Sequence, residues 1–160
     1  MMNKGPLPKV QIYSEEAFHI IMEHEILRSI RYPSPTSLIY LEMTPHGPNE
    51  KIPASASSIF ETTINLYLRS VDIPVRYGTG YLILLPSTNE MGARALCKRL
   101  MMIFEKEFET EEGKAVKFSL QVGVASHDGG PTLMKETLIQ KAERSLQQPR
   151  LDDTNSVGIL

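Results

Sequence analysis

An arginine and an aspartate three positions apart, Arg69 and Asp72, stand just ahead of a glycine-containing turn, Gly78-Thr79-Gly80. A guanidinium fork can form two parallel hydrogen bonds with a phosphodiester or with neighbouring acceptors on the edge of a planar ring. A carboxylate can accept hydrogen bonds from ring N–H and amino groups. The pair therefore has the chemistry to bind a small polar ligand that carries both hydrogen-bond acceptors and N–H donors. The alternative is that Arg69 only pairs with Asp72 or caps the preceding helix.

Other residues that could react or bind a metal are sparse. The chain has one cysteine, Cys97, which excludes a disulfide framework, and its place on the apolar side of a predicted helix indicates a buried thiol. His19 and His24 are five positions apart and project from different faces of a helix, so they do not form a pair of metal ligands. No Ser–His–Asp or phosphate-loop pattern is present.

Hydrophobic spacing predicts the helices and strands that must position these residues. The helices are predicted at 14–32, 55–70, 90–109 and 133–147, and the strands at 36–43, 71–77, 81–86, 116–125 and 156–160. The turn at 78–80 lies between two short apolar runs, which predicts a β-hairpin. Residues 44–53 are predicted as a loop. This order of elements indicates one mixed sheet with helices packed against it.

Length and charge narrow the class of protein. The chain has 160 residues with 17 basic and 19 acidic side chains, a formal net charge of −2. We expect one domain at 13–160 after an extended lead-in at 1–12. The nearly balanced charge argues against a nucleic-acid surface. No apolar run approaches the roughly 20 residues that span a bilayer, and no signal-peptide centre is found, so we expect no membrane contact and a cytoplasmic location.

The segment from Leu68 to Pro86 resembles the centre of a GGDEF domain. It reads Leu-Arg-Ser-Val-Asp-Ile-Pro-Val-Arg-Tyr-Gly-Thr-Gly-Tyr-Leu-Ile-Leu-Leu-Pro, whereas the family pattern is Arg-x-x-Asp, a short spacer, then Gly-Gly-Asp/Glu-Glu-Phe and an apolar strand. The strand at 36–43 and the segment 123–125 are also similar to the family. The resemblance implies an α/β (α+β), nucleotidyl-cyclase-like fold with a central five-stranded mixed sheet surrounded by helices. The family makes cyclic di-GMP from two GTP molecules.

The positions that resemble the family's active site depart from its pattern. They are Glu42, Gly78, Thr79, Gly80 and Tyr81. Cyclases of the family hold magnesium with two carboxylates, and such hard oxygen ligands are what phosphoryl transfer requires. Glu42 keeps one carboxylate, whereas Gly80 has no side chain at the second position. The segments 42–49 and 149–155 also lack the family's motifs. We therefore expect no cyclase activity, no metal and no cofactor.

The resemblance also implies a second site, the inhibitory site where the family binds its product. Its residues in this chain are Arg69, Asp72 and, on the next helix, Arg99. We therefore expect a degenerate GGDEF domain that acts as a cyclic di-GMP receptor and reports to a protein partner or to a second copy. The alternative is a ligand-independent interaction or dimerisation module. Residual GTP binding through Glu42 is a third, weaker possibility.

Overall fold

A computed structural model describes residues 12–146, apart from the side chain of Glu50, together with the backbone of Ser156–Ile159. The helices are α1 (Glu15–Arg31), α2 (Ala56–Tyr67), α3 (Glu90–Phe104) and α4 (Lys135–Leu146), and a short 3-10 turn covers Pro48–Glu50. The strands are β1 (Thr36–His46), β2 (Ile73–Tyr77), β3 (Gly80–Pro86), β4 (Phe108–Glu109), β5 (Ala115–His127) and β6 (Ser156–Ile159). None of the described helices is long and apolar enough to cross a membrane.

The strands form one sheet in the order β2-β3-β1-β5-β4, with β1 in the middle. β1 is antiparallel to both of its neighbours, and β2 and β3 form the predicted hairpin. β6 runs parallel to β5 and pairs with residues 121–124, whereas β4 pairs with the opposite end of β5. The mixed sheet surrounded by helices is therefore confirmed, with one strand more than the five predicted.

Each face of the sheet is covered by two helices, because apolar residues point alternately to the two sides along β1. Ile39 and Leu41 belong to the core beneath α2 and α3, whereas Leu38 and Tyr40 belong to the core beneath α1 and α4. At Gly123 on β5 an added Cβ would lie 2.2 Å from the carbonyl oxygen of Ala142. Only glycine lets α4 approach the sheet this closely.

Several predicted boundaries are wrong by two residues or more. The second helix ends at Tyr67 rather than at residue 70, so Arg69 lies after it. Tertiary contacts explain two of the other differences. The helix predicted to run to residue 109 ends at Phe104, and Phe108 instead lies in β4, where its ring packs on Phe104 and Phe118. Likewise β1 continues through residues that were predicted as a loop. Its last residues, 43–46, pair with residues 117–120 of β5, whose length supports the longer strand.

Candidate functional site

Arg69 and Asp72 lie in the turn that joins α2 to β2. One Asp72 carboxylate oxygen accepts from the Arg69 backbone N–H at 2.8 Å, and the other accepts from Nη2 of the same arginine at 2.9 Å. The Asp72 side chain is only 3% exposed, whereas that of Arg69 is 52% exposed. The local ion pair is therefore formed, and it holds a guanidinium group at the surface with its carboxylate partner underneath.

The Arg69 guanidinium is also held by the chain that follows β3. Its Nη2 donates to the carbonyl oxygen of Pro86 at 2.9 Å and to the hydroxyl of Thr88 at 2.7 Å. Nη1 makes no hydrogen bond to any described residue, and the side chain as a whole is half exposed. Four acceptor atoms fix the group, so little side-chain entropy remains to be lost when a ligand binds.

Arg99 meets Arg69 at one surface depression, although 30 positions separate them. The depression has a volume of about 380 Å³ and is lined by both arginines and by Asp72. Arg99 is exposed on α3 and makes no hydrogen bond or ion pair within the described part of the chain. The structure therefore brings the three residues predicted from the family pattern together at one site.

The depression also includes the first turn of α3, which the family pattern did not predict as part of the site. Ser87, Thr88, Asn89 and Gly92 line it, and Asn89 caps the helix by accepting from the Gly92 N–H at 2.9 Å. A helix N-terminus carries a partial positive charge that favours an anion. The Ser-Thr-Asn run before a helix is a recognisable capping signal. The hydrogen bond between Thr88 and Arg69 was not predictable, because it joins segments 19 positions apart.

The residues that match the family's active site lie at the end of the β2–β3 hairpin. Its turn contains only Gly78 and Thr79, since Gly80 already pairs with Tyr77, and the expected three-residue turn is therefore wrong. Gly78 has a φ of +56°, which suits the first position of a tight hairpin turn. Nearby, the Glu42 carboxylate accepts from the Thr79 hydroxyl at 3.2 Å and from Tyr40 at 3.1 Å.

Gly80 is enclosed by the neighbouring strand. A Cβ at this position would lie 2.3 Å from the carbonyl oxygen of Leu41 and 3.1 Å from Cγ of Glu42. The donor set therefore does not fit a magnesium site held by two carboxylates, because Glu42 faces a position that has no side chain. Across residues 12–146, no three His, Cys, Asp or Glu side chains are grouped so that they could hold a metal ion. The segment 149–155 lies outside the described residues.

Tyr81, the remaining position compared with the family's active-site pattern, is part of the core. Its hydroxyl donates to Glu61 of α2 at 3.0 Å, and Arg76 on the adjacent strand donates to the same carboxylate at 2.5 and 2.6 Å. Burial and the neighbouring Glu61 raise the pKa of Tyr81 to about 12. The hydrogen bonds to Glu61 also raise the pKa of Arg76. This cluster joins α2 to the hairpin, and no motif in the sequence predicted Glu61 as its centre.

Cys97 is fully buried, as the sequence predicts, and burial raises the pKa of its thiol to about 12. A thiol with so high a pKa is protonated near neutral pH and is therefore a poor nucleophile. It belongs to the core beneath α3 rather than to the depression.

Comparisons with known proteins identify the fold. No family model matches the sequence, and no curated protein matches it. Solved structures do match. The GGDEF domain of FimX from Pseudomonas aeruginosa has a TM-score of 0.71 at 18% identity, with 96% of this chain and 98% of that chain covered. The active GGEEF domain of a diguanylate cyclase from Vibrio cholerae has a TM-score of 0.74 at 15% identity, covering 93% and 97% of the two chains.

The GGDEF domain of DgcB from Caulobacter crescentus, solved in complex with c-di-GMP, has a TM-score of 0.70 at 10% identity and covers 99% of this chain and 98% of its own. At such low identities the common property is the fold. The chain therefore has the α+β fold of GGDEF domains, as the resemblance of residues 68–86 implied.

Proposed function

We propose that this chain is a receptor for cyclic di-GMP and does not synthesise it. The single observation that carries the proposal is the convergence of Arg69, Asp72 and Arg99 on one depression. One structural neighbour, the DgcB domain, was solved with this same dinucleotide. The depression, with two guanidinium groups beside a helix N-terminus, suits a ligand that carries phosphodiester groups and guanine acceptors.

A carboxylate could accept hydrogen bonds from a guanine base, but we propose that Asp72 does not contact the ligand. Both of its oxygens already accept hydrogen bonds from Arg69, and its side chain is almost fully buried. We assign it the role of a positioning residue that aims the Arg69 guanidinium. Contact with the ligand is then made by Nη1 of Arg69 and by Arg99.

The proposed lack of cyclase activity rests on Gly80 and Glu42. The position of the second carboxylate has no side chain, and the Leu41 carbonyl oxygen occupies the space where a Cβ would be. Two-metal phosphoryl transfer depends on carboxylates that hold the metal ions, and the ions would neutralise charge that develops on the triphosphate. Incubation of the protein with GTP and magnesium, followed by chromatography, is expected to yield no cyclic di-GMP, and any turnover would contradict this part of the proposal.

The test of the receptor function is calorimetric titration of the whole chain with cyclic di-GMP. Arg99→Ala is the most informative variant, because Arg99 has no hydrogen bond or ion pair to lose within residues 12–146. Loss of a charge-assisted hydrogen bond predicts roughly 10- to 100-fold weaker binding. Arg94→Ala is the matched control, since Arg94 lies on the same helix with a side chain 51% exposed and outside the depression.

Two outcomes would overturn the receptor function: no heat of binding for the unchanged chain, or equal affinities for the Arg99→Ala and Arg94→Ala variants. Linear pGpG and cyclic di-AMP serve as competing ligands that test whether the cyclic guanine dinucleotide is preferred. Arg69→Ala is less suitable as a first variant, because it leaves the buried Asp72 carboxylate without its partner, which is costly.

A ligand-independent interaction module is the second candidate function. Its specific support is on α1, where Ile20 and Leu27 are 55% and 64% exposed. They are seven positions apart, so they lie on the same face of the helix. The calorimetric titration separates the two functions, because an interaction module would bind its protein partner without any effect of Arg99→Ala or of cyclic di-GMP.

A further inference from the structure

Tyr67 is the last residue of α2 and lines the same depression as the two arginines. It is 40% exposed and has neither a hydrogen bond nor an aromatic neighbour within the described part of the chain. The core tyrosines differ in this respect. Tyr40 and Tyr81 donate to Glu42 and Glu61, and their rings contact Tyr77 and Phe60. Tyr67 thus presents an uncommitted ring to the site.

The surroundings of Tyr67 suit a flat, partly apolar ligand. Leu85 and Leu96, which are 1% and 8% exposed, also line the depression, and the guanidinium groups of Arg69 and Arg99 supply its charge. A volume of about 380 Å³ is near the lower end of the range for ligand sites. We therefore expect one nucleotide unit of the dinucleotide to enter and the rest to remain outside.

We propose that Tyr67 is the stacking platform for one guanine base of the bound dinucleotide. This inference rests on the proposed function, since it concerns the same site and the same ligand. Stacking on an aromatic ring removes apolar surface of both partners from water and is available to every base. Tyr67 would therefore contribute affinity, while the arginine contacts would select the guanine edge and the phosphodiester.

The test uses the chain's own fluorescence. The sequence has six tyrosines and no tryptophan, so tyrosine emission can be observed directly. Cyclic di-GMP stacked on Tyr67 should quench part of this emission. Tyr67→Phe should keep its affinity in calorimetry and lose that part of the quench, because phenylalanine retains the ring but not the fluorescent phenol. Tyr67→Leu should bind at least about ten-fold more weakly, as expected for loss of one stacked base.

Tyr32 is the matched control. It lies next to the C-terminal end of α1, is 63% exposed and is absent from the lining of the depression. Tyr32→Phe should leave the quench unchanged, and Tyr32→Leu should leave the affinity unchanged. The Tyr67→Phe quench still decides the question if Tyr67→Leu folds poorly, which circular dichroism would reveal.

The two proposals fail in different ways. If the unchanged chain binds cyclic di-GMP and loses affinity in Arg99→Ala but not in Tyr67→Leu, the receptor function stands and the stacking role is overturned. An undiminished quench in Tyr67→Phe would also overturn it. If the unchanged chain binds no cyclic di-GMP, the proposed function fails and the stacking role fails with it.

Discussion

Replacing Gly80 by alanine is expected to destabilise the protein, because the new methyl group has no space. It would lie 2.3 Å from the Leu41 carbonyl oxygen and 3.2 Å from the carbonyl carbon. These are backbone atoms of β1, the middle strand of the sheet, so a side-chain rotation cannot relieve the contact. Residues 36–41 of β1 pair with residues 81–86 of β3. The two strands would have to separate by about 1 Å near the hairpin before the new methyl group and the Leu41 carbonyl oxygen reached ordinary van der Waals distance.

Three contributions set the change in the free energy of unfolding for Gly80→Ala. Overpacking in a well-packed core costs about 1–3 kcal/mol. Weakening of one backbone hydrogen bond between β1 and β3 adds about 0.5–1.5 kcal/mol. Alanine also reduces the conformational entropy of the unfolded chain, which opposes these two costs by about 0.4–1 kcal/mol. This gain applies at Gly80 because its φ is not positive. We therefore expect the free energy of unfolding to fall by about 2–3 kcal/mol.

Urea unfolding followed by circular dichroism measures this change, and Gly78→Ala is the matched control. At Gly78 the nearest atom to an added Cβ is the Tyr40 hydroxyl oxygen at 3.9 Å, so the cost comes only from its φ of +56°. A single left-handed alanine costs about 1–2 kcal/mol. Gly80→Ala should therefore be the more damaging change of the two.

A Gly80→Ala variant that is as stable as the unchanged chain would refute the steric argument. Gly80→Asp provides the functional counterpart, because it places a carboxylate at the position where the GGDEF sequence pattern has one. The same contact with Leu41 should prevent this variant from making cyclic di-GMP, and measurable product would refute the claim that the Leu41 carbonyl oxygen leaves no space for a side chain at position 80.

Two further predictions concern Asp72 and Tyr81. Asp72→Asn keeps one acceptor oxygen but removes the charge that aims Arg69. The free energy of unfolding should therefore fall by about 1–2 kcal/mol, and calorimetry should show weaker cyclic di-GMP binding. Unchanged affinity would contradict the positioning role of Asp72. The folded pKa of Tyr81 is raised from 10.0 to about 12, so its neutral phenol stabilises the fold fully below pH 10 and this contribution is lost as pH rises toward 12. Urea unfolding between pH 8 and 12 should therefore show a smaller loss of stability for Tyr81→Phe than for the unchanged chain. Equal losses in the two proteins would contradict the raised pKa of Tyr81.

Much of the local structure was predictable from the sequence. Ser14 marks the start of α1 because its hydroxyl accepts from the Ala17 N–H, an interaction within one turn of helix. The hairpin was predictable because Gly78 supplies the positive φ that its turn needs. The order of the elements and the α+β class followed from these local signals together with hydrophobic spacing.

The end of α3 was not predictable in the same way. Residues 105–109 continue an apolar spacing that suits a helix, yet Phe108 turns back to pack on Phe118 of β5. That contact joins β4 to a strand formed later in the chain, so no local pattern encodes it. The site shows the same limit, because Thr88 and Pro86 hold an arginine that lies 17 to 19 positions earlier.

The sequence by itself determined which residues of the segment 68–86 match the GGDEF pattern and which position of that pattern lacks its carboxylate, because both depend on residue type and on spacing within one short segment. Only the tertiary structure decided that Arg99 reaches the Arg69 depression, that Asp72 is buried beneath Arg69, and that the Leu41 carbonyl closes the space beside Gly80. The physical reason is that these relations depend on how α3 and β1 pack against the hairpin. Packing at contact distance is set by the whole core rather than by any one segment.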